Sequence, residues 1–214
     1  QFSFDLGLQN VIESIDSQTG DKQISSEAIP AKDKTRFVCP SSHGARNWMP
    51  TAFNPTSNIL YIPFLESCMK VRPAKPGDLI VGDMGQKAHP KPNSDGNFGG
   101  LRAINLETRE TLWTDRRRAI PTTGVLATAG GLAFMGSLDR TFAAYHADTG
   151  KALWRTRLND VPGGGPISFM VKGKQYIAVT TGHAGARNID QFMAPEILNP
   201  QAPQATILVF ELRD

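Results

Sequence analysis

Little in these 214 residues points to a metal or thiol centre. The chain has two cysteines, Cys39 and Cys68, and four histidines, His43, His89, His146 and His183, with no Cys-x-x-Cys pair and no Cys/His cluster. That argues against a structural zinc or a haem attachment. No apolar run approaches the roughly 20 residues of a membrane-spanning helix, and the first residues carry neither the basic nor the apolar region of an export signal. The start at Gln1, without Met, carries the expectation that something has been removed. Charge of one sign is also scarce: 23 Lys and Arg stand against 20 Asp and Glu, for a net +3. The one basic run, Arg116-Arg117-Arg118, has no interleaved aromatics and reads as a solvated strand end rather than a nucleic-acid surface. With 40% hydrophobic and 20% charged residues, the composition is that of a folded globular chain.

What the chain does have is a repeat. Ala144-Tyr-His-Ala-Asp148-Thr149-Gly150-Lys-Ala-Leu-Trp154 is matched by Ala103-Ile-Asn-Leu-Glu107-Thr108-Arg109-Glu-Thr-Leu-Trp113, where Arg109 replaces the turn glycine. Ser14-Ile-Asp16-Ser-Gln-Thr19-Gly20-Asp21 is a third copy, and Ala52-Phe-Asn54-Pro-Thr-Ser-Asn58-Ile59 a fourth turn of the same kind. Asp caps its own backbone in such turns while Gly takes a positive φ without Cβ strain, Asp148 and Gly150 being the expected pair. A period of about 40 residues of short strands is the signature of propeller blades, sheets that bury their faces only by stacking on neighbours. Trp113 and Trp154 then fill wedges between blades rather than forming a cofactor box, each burial being worth about 3 kcal/mol or more.

Between the repeats, Ser25 to Lys34 reads as loop and Ile59 to Phe64 as a strand that Pro63 would confine to a sheet edge or a strand end. Residues 72–100 are rich in proline and glycine and read as a long insertion between blade strands. Val125 to Thr128, Leu132 to Met135, Thr141 to Tyr145, Ala152 to Leu158, Ile167 to Val171, Tyr176 to Thr180 and Ala205 to Leu212 are each strand-sized, with Lys172-Gly173-Lys174 as a hairpin turn. The expected class is all-β, with residues 1–214 forming about four C-terminal blades of a larger propeller.

The combination Cys39-Pro40, Gly44-Ala-Arg-Asn47-Trp48, Ala52-Phe-Asn54-Pro55, Leu60-Tyr61-Ile-Pro63, Cys68-Met69, Gly124-Val-Leu-Ala-Thr-Ala-Gly130-Gly131 and Gly173-Lys174-Gln175-Tyr176 resembles the C-terminal part of the pyrroloquinoline-quinone (PQQ)-dependent alcohol dehydrogenases. These are eight-bladed quinoproteins of the methanol and ethanol dehydrogenase kind. The resemblance covers nearly the whole chain. It implies PQQ with Ca²⁺ or a lanthanide, a small alcohol as substrate, a cytochrome c as electron acceptor and a periplasmic address. It also implies that the N-terminal blades sit on a companion polypeptide, a proteolytic partner fragment or another part of the same precursor, because half a propeller leaves raw sheet faces in water.

Carried over by motif, the site is small. Asn47 and Trp48 fall at the family's quinone-contacting position, where an amide N–H donates to a dione oxygen as charge develops; the plainer role for Asn47 is to bond a turn backbone. Cys39 and Cys68 match a pair that is disulfide-bonded in related enzymes, with two free thiols as the alternative. Thr122, Thr123 and Gly124 are candidate pocket-lining residues, and Gly163-Gly164-Gly165 more a structural turn than a wall. Pro121-Thr122-Thr123-Gly124 and Ala186 replace tryptophan-bearing segments of methanol-dehydrogenase-like members, which departs from a methanol-type pocket. The resemblance places the catalytic aspartate and the metal ligands before Gln1, and Asp16, Asp78 and Asp139 match none of their motifs. A non-catalytic propeller that serves as a scaffold or assembly protein is the competing reading, and the Cys39 to Trp48 segment has no evident use in it.

Overall fold

Short alternating segments separated by turn residues pair mostly with strands close along the chain, and the computed structural model shows how they do so. It describes residues 5–29, 31, 34–73, 88–182, 193–200, 202 and 205–212. The proposed departure at Ala186 and the residues His183 and Asp78 lie outside these. The named elements are all strands: β1 (Ile12–Ile15), β2 (Lys22–Ile24), β3 (Arg36–Val38), β4 (Ala52–Asn54), β5 (Ile59–Leu65), β6 (Ser67–Val71), β7 (Ala88–Pro90), β8 (Gly99–Asn105), β9 (Glu110–Arg117), β10 (Leu126–Ala127), β11 (Leu132–Gly136), β12 (Thr141–His146), β13 (Ala152–Arg157), β14 (Pro162–Val171), β15 (Lys174–Thr181) and β16 (Thr206–Glu211). Two sheets are four-stranded, ordered β4-β5-β8-β9 and β10-β11-β12-β13; β14-β15-β16 and β3-β6-β7 are three-stranded, and β1-β2 is a hairpin. Among the described residues no helix is long and apolar enough to cross a membrane.

The repeated turn has one construction in three places. The Gly20 N–H donates to Asp16 O, the Arg109 N–H to Asn105 O and the Gly150 N–H to His146 O, each at 2.9 Å. The capping side chain is Asp16 or Asn105, whose Oδ1 accepts the N–H groups two and three residues on. In the third copy that position is His146, whose Nδ1 accepts the Asp148 N–H at 3.3 Å. The cap therefore sits two residues before Asp148, the aspartate expected to provide it. Both complete copies also share a bulge that pairs Ala103 with Trp113 and Ala144 with Trp154, leaving Leu112 and Leu153 as the extra, exposed residues.

Two of the sheets meet through Ile59, Tyr61, Leu101 and Ala103 on one side and Ala133, Met135, Ala143 and Tyr145 on the other. Trp113 closes this interface. Its indole N–H donates to Ala147 O at 2.8 Å, its ring stacks 6.2 Å from Tyr145, and Gly150 lies against it. Trp154 differs from the expectation of a buried wedge: it contacts Phe210 at 5.1 Å between ring centres but remains 38% exposed.

Two further differences have clear causes. Pro63 lies in the middle of β5, a central strand, opposite Leu101 of β8. Its other neighbour, β4, reaches only as far as Tyr61, so the missing proline N–H points past the end of that strand and costs no ladder bond. Within residues 72–100, β7 and the first residues of β8 form where the composition reads as plain insertion. The chain leaves the main sheet after β5, runs directly into β6, and returns through β7 to β8, building the β3-β6-β7 side sheet.

Candidate functional site

Three lead-in segments converge where the innermost strands β4, β10 and β14 begin. The Val125 N–H donates to Pro50 O at 3.0 Å and the Gly124 N–H to Gly164 O at 2.8 Å, while Thr123 and Gly164 form a parallel bridge. The contact is tight: a Cβ on Gly124 would lie 2.9 Å from Pro50 Cδ, and one on Gly136 would lie 2.6 Å from Pro162 Cγ and 2.8 Å from Thr123 Cγ2. Thr123 is fully buried; its hydroxyl donates to Gly124 O at 2.7 Å and accepts the Gly136 N–H at 2.8 Å. Thr123 is thus committed to holding the segments together. Thr122 is buried as well, but its Oγ1 finds no hydrogen-bond partner among the described residues, and neither does the buried Ser137 Oγ. Of the glycine triplet, Gly164 takes a φ of 73° in a bulge, while Gly165 has open space around it.

Asn47 and Trp48 lie just before Pro50, on the loop joining the side sheet to β4. Both are exposed, and the Asn47 Oδ1 accepts the Trp48 N–H at 2.9 Å. The oxygen thus does turn work. Several anchors hold this loop: Met49 is buried against a cluster that includes Ile120, Leu138 and Val161, and the Leu65 N–H donates to Ala45 O at 2.8 Å. The Ser41 and Ser67 hydroxyls lie 2.7 Å apart. Cys39 and Cys68 form a disulfide across 4.3 Å between Cα atoms, because β3 and β6 pair up to Val38 and Met69 and so bring the next residues together.

Glu66, between β5 and β6, was not singled out in the sequence, although a lone carboxylate in the run Tyr61 to Met69 is the signal that would have found it. It is 3% exposed and accepts from Arg116 Nε at 2.9 Å and Lys91 Nζ at 3.2 Å. Burial pushes its carboxyl up, but the hydrogen bonds and charges of Arg116 and Lys91 outweigh this and hold it below the ordinary carboxylate range. The basic run is paired throughout rather than simply solvated: Arg116 with Glu66, Arg117 with Asp115 and Arg118 with Glu196. Burial raises the Tyr145 phenol, whose O–H donates to Asp115 at 3.0 Å. Among the described residues no group of three or more His, Cys, Asp or Glu side chains is placed to hold a metal ion.

Residues 82–177 match the family described as glucose/ethanol/alcohol dehydrogenase, β-propeller domain, of the PQQ type. The quinoprotein alcohol dehydrogenase PedH of Pseudomonas putida is 32% identical over 73% of this chain and 26% of its own length. The quinoprotein ethanol dehydrogenase of Pseudomonas putida is 30% identical over 92% of this chain and 33% of its own. A europium-containing methanol dehydrogenase has the same fold, with a TM-score of 0.76 over 95% of this chain and 39% of that one at 24% identity. The chain spans about a quarter to a third of the length of these curated relatives. By motif, sequence similarity and sheet architecture together, the chain belongs to the PQQ-dependent alcohol dehydrogenase family of β-propeller quinoproteins.

Proposed function

We propose that this chain supplies part of the cofactor-facing wall of a periplasmic quinoprotein that oxidises a small alcohol, with a companion polypeptide carrying the remaining blades and a cytochrome c taking the electrons. The observation that carries the proposal is the convergence of the Asn47-Trp48 loop and the Thr122–Gly124 segment at the leading ends of adjacent inner strands, where Val125 bonds Pro50. PQQ, with Ca²⁺ or a lanthanide as Lewis acid, would supply an electrophilic dione that takes two electrons from the alcohol.

The residues present fit such a group. Because the Asn47 Oδ1 is occupied by the Trp48 N–H, the side chain offers its remaining end, the two amide N–H donors, which have no acceptor among the described residues. A donor without acceptor capacity suits an oxygen that gains negative charge. Trp48 offers an exposed indole beside it, and the Thr122 hydroxyl, without a hydrogen-bond partner among the described residues, marks a second polar position in the same convergence. The catalytic base and the metal ligands belong, on this reading, to the other polypeptide.

Denaturing the native protein should release PQQ, identified by absorbance and mass, and the native preparation should reduce a dye with alcohol in the presence of Ca²⁺ or La³⁺. Absence of both defeats the enzyme reading and leaves a non-catalytic scaffold. Replacing Asn47 with Ala should lower kcat by about a hundredfold, the lower end for loss of one oxyanion-type donor, with little change in folding stability. An unchanged rate removes Asn47 from the site.

A further inference from the structure

The loop that carries Asn47 and Trp48 leans on one short stretch of chain. At its start the Ser41 N–H donates to Ser67 O at 2.7 Å, and two residues before Asn47 the Ala45 carbonyl accepts the Leu65 N–H at 2.8 Å. The Ser41 and Ser67 hydroxyls, 2.7 Å apart, and the Cys39–Cys68 disulfide reinforce the first tie. Leu65 to Ser67 is the junction at which the chain turns from β5 into β6. Where that junction stands, the loop stands with it.

Glu66 is the middle residue of the junction, and its bonds run to other segments. Its N–H donates to Phe98 O at 2.6 Å, and its carbonyl accepts the Lys91 N–H at 3.0 Å. Its carboxylate, 1% exposed, takes Arg116 Nε at 2.9 Å on one oxygen and Lys91 Nζ at 3.2 Å on the other. Arg116 lies on β9, two strands from β5 in the order β4-β5-β8-β9. It is brought within reach by Gly99 and Gly100 of the intervening β8, where the backbones crowd together: a Cβ on Gly99 would collide with Phe64 O, and one on Gly100 with Asp115 O. The carboxylate thus ties the junction to the main sheet through Arg116 and to the side sheet through Lys91, which follows β7. A buried carboxylate with two cationic partners holds its place strictly, because displacement leaves charge unpaired away from water.

Resting on the reading that Asn47 faces the quinone, we infer that Glu66 is a positioning residue for the alcohol oxidation: through Leu65 and Ser67 it fixes where the Asn47 amide is presented. Asn47 and Trp48 are themselves exposed, so their placement comes from the loop's anchors, the Ser41 and Ala45 bonds on one side and the buried Met49 on the other. A donor of this kind works by being preorganised, and a misplacement of about 1 Å can cost about a hundredfold in rate.

The test compares the native protein, isolated with whatever co-purifies, with Glu66→Gln, which keeps the size of the side chain and removes its charge. By hydrogen-exchange mass spectrometry the bonded amides of Ser41, Gly44 and Trp48 should exchange at least about tenfold faster in the variant, as local opening requires, while β11 and β12 keep their protection. Turnover should fall at least about tenfold with KM within about twofold, the pattern of an interaction made in the transition state. In an Asn47→Ala background Glu66→Gln should cost less than about twofold further, because nothing is left for it to position. Unchanged exchange at 41–48, equal acceleration throughout the chain, or losses that multiply in full each overturn the inference and, in a protein that releases PQQ, leave the dehydrogenase reading intact. Should Glu66→Gln fail to fold, Lys91→Gln removes one of the two cations and must show the same local acceleration, whose absence overturns the inference too. Faster loop exchange in a protein that holds no quinone and oxidises no alcohol supports Glu66 as the loop's anchor while defeating the dehydrogenase reading.

Discussion

Gly150→Ala tests the sheet-to-sheet seat most directly. The residue has a φ of +69°, and an added Cβ would lie 2.5 Å from Trp113 Cδ2 and 2.6 Å from Cε3. The backbone conformation alone costs an L-residue about 1–2 kcal/mol. That is tolerable, since Arg109 occupies the same turn position at a φ of 63°. The ring contact is a different matter, because both atoms belong to a rigid indole. Either the turn retreats and loses the Nε1 to Ala147 bond, worth about 1 kcal/mol, or the ring lifts and gives up part of a tryptophan burial whose full loss costs about 3–5 kcal/mol. The expected total is about 3–4 kcal/mol. Gly20→Ala is the control: the turn is the same, with a φ of +78° and nothing within 4 Å, so only the backbone cost of about 1–2 kcal/mol remains. Urea unfolding followed by circular dichroism gives both values, with m unchanged. A cycle with Trp113→Ala should show the excess at Gly150 disappearing when the ring is removed. Equal costs at Gly20 and Gly150, or full additivity with Trp113→Ala, would refute the seat.

Other perturbations read different parts of the molecule. Thr123→Val strands the Gly136 N–H and Gly124 O in a buried site and should cost about 1–3 kcal/mol, while Thr123→Ser recovers most of it; no loss in the valine variant would mean that the hydroxyl does not tie the inner segments. Removing the disulfide by Cys39→Ser with Cys68→Ser, or by reductant, reopens a loop of separation 29 and should cost about 3–4 kcal/mol in the chain-entropy account; a change below about 1 kcal/mol would show that other contacts close that loop in the unfolded chain. Glu66, held below its ordinary value of 4.5 when folded, contributes stability that is present above that value and lost as pH falls through the lower folded one. Unfolding measured across that acid window should show a steeper loss for the native protein than for Glu66→Gln, and parallel pH profiles would defeat the assigned role.

How much could be read without the fold follows from how local each signal is. Strand segments and turns were legible because alternation and turn chemistry act within a few residues, as in Asp16 to Gly20 or Lys172 to Lys174. The Cys39 to Trp48 stretch stood out because it interrupts that pattern, and the resemblance paired its cysteine with Cys68. Other features depend on partners far along the chain. Whether Pro63 is costly depends on where β4 stops, and Glu66 is acceptable only because Arg116 and Lys91 arrive from other strands. Arg109 and Gly150 share a turn, yet only Gly150 lies under an indole.

The sequence by itself determined an all-β repeat with its turns, since a two-residue side-chain period and an αL turn position are properties of the local backbone. Only the tertiary structure decided which repeat residues are packing seats, which lead-in segments meet at the inner strands, and which cations reach Glu66. Burial and pairing arise between segments distant in sequence, and no local pattern encodes which distant segment will come to lie alongside.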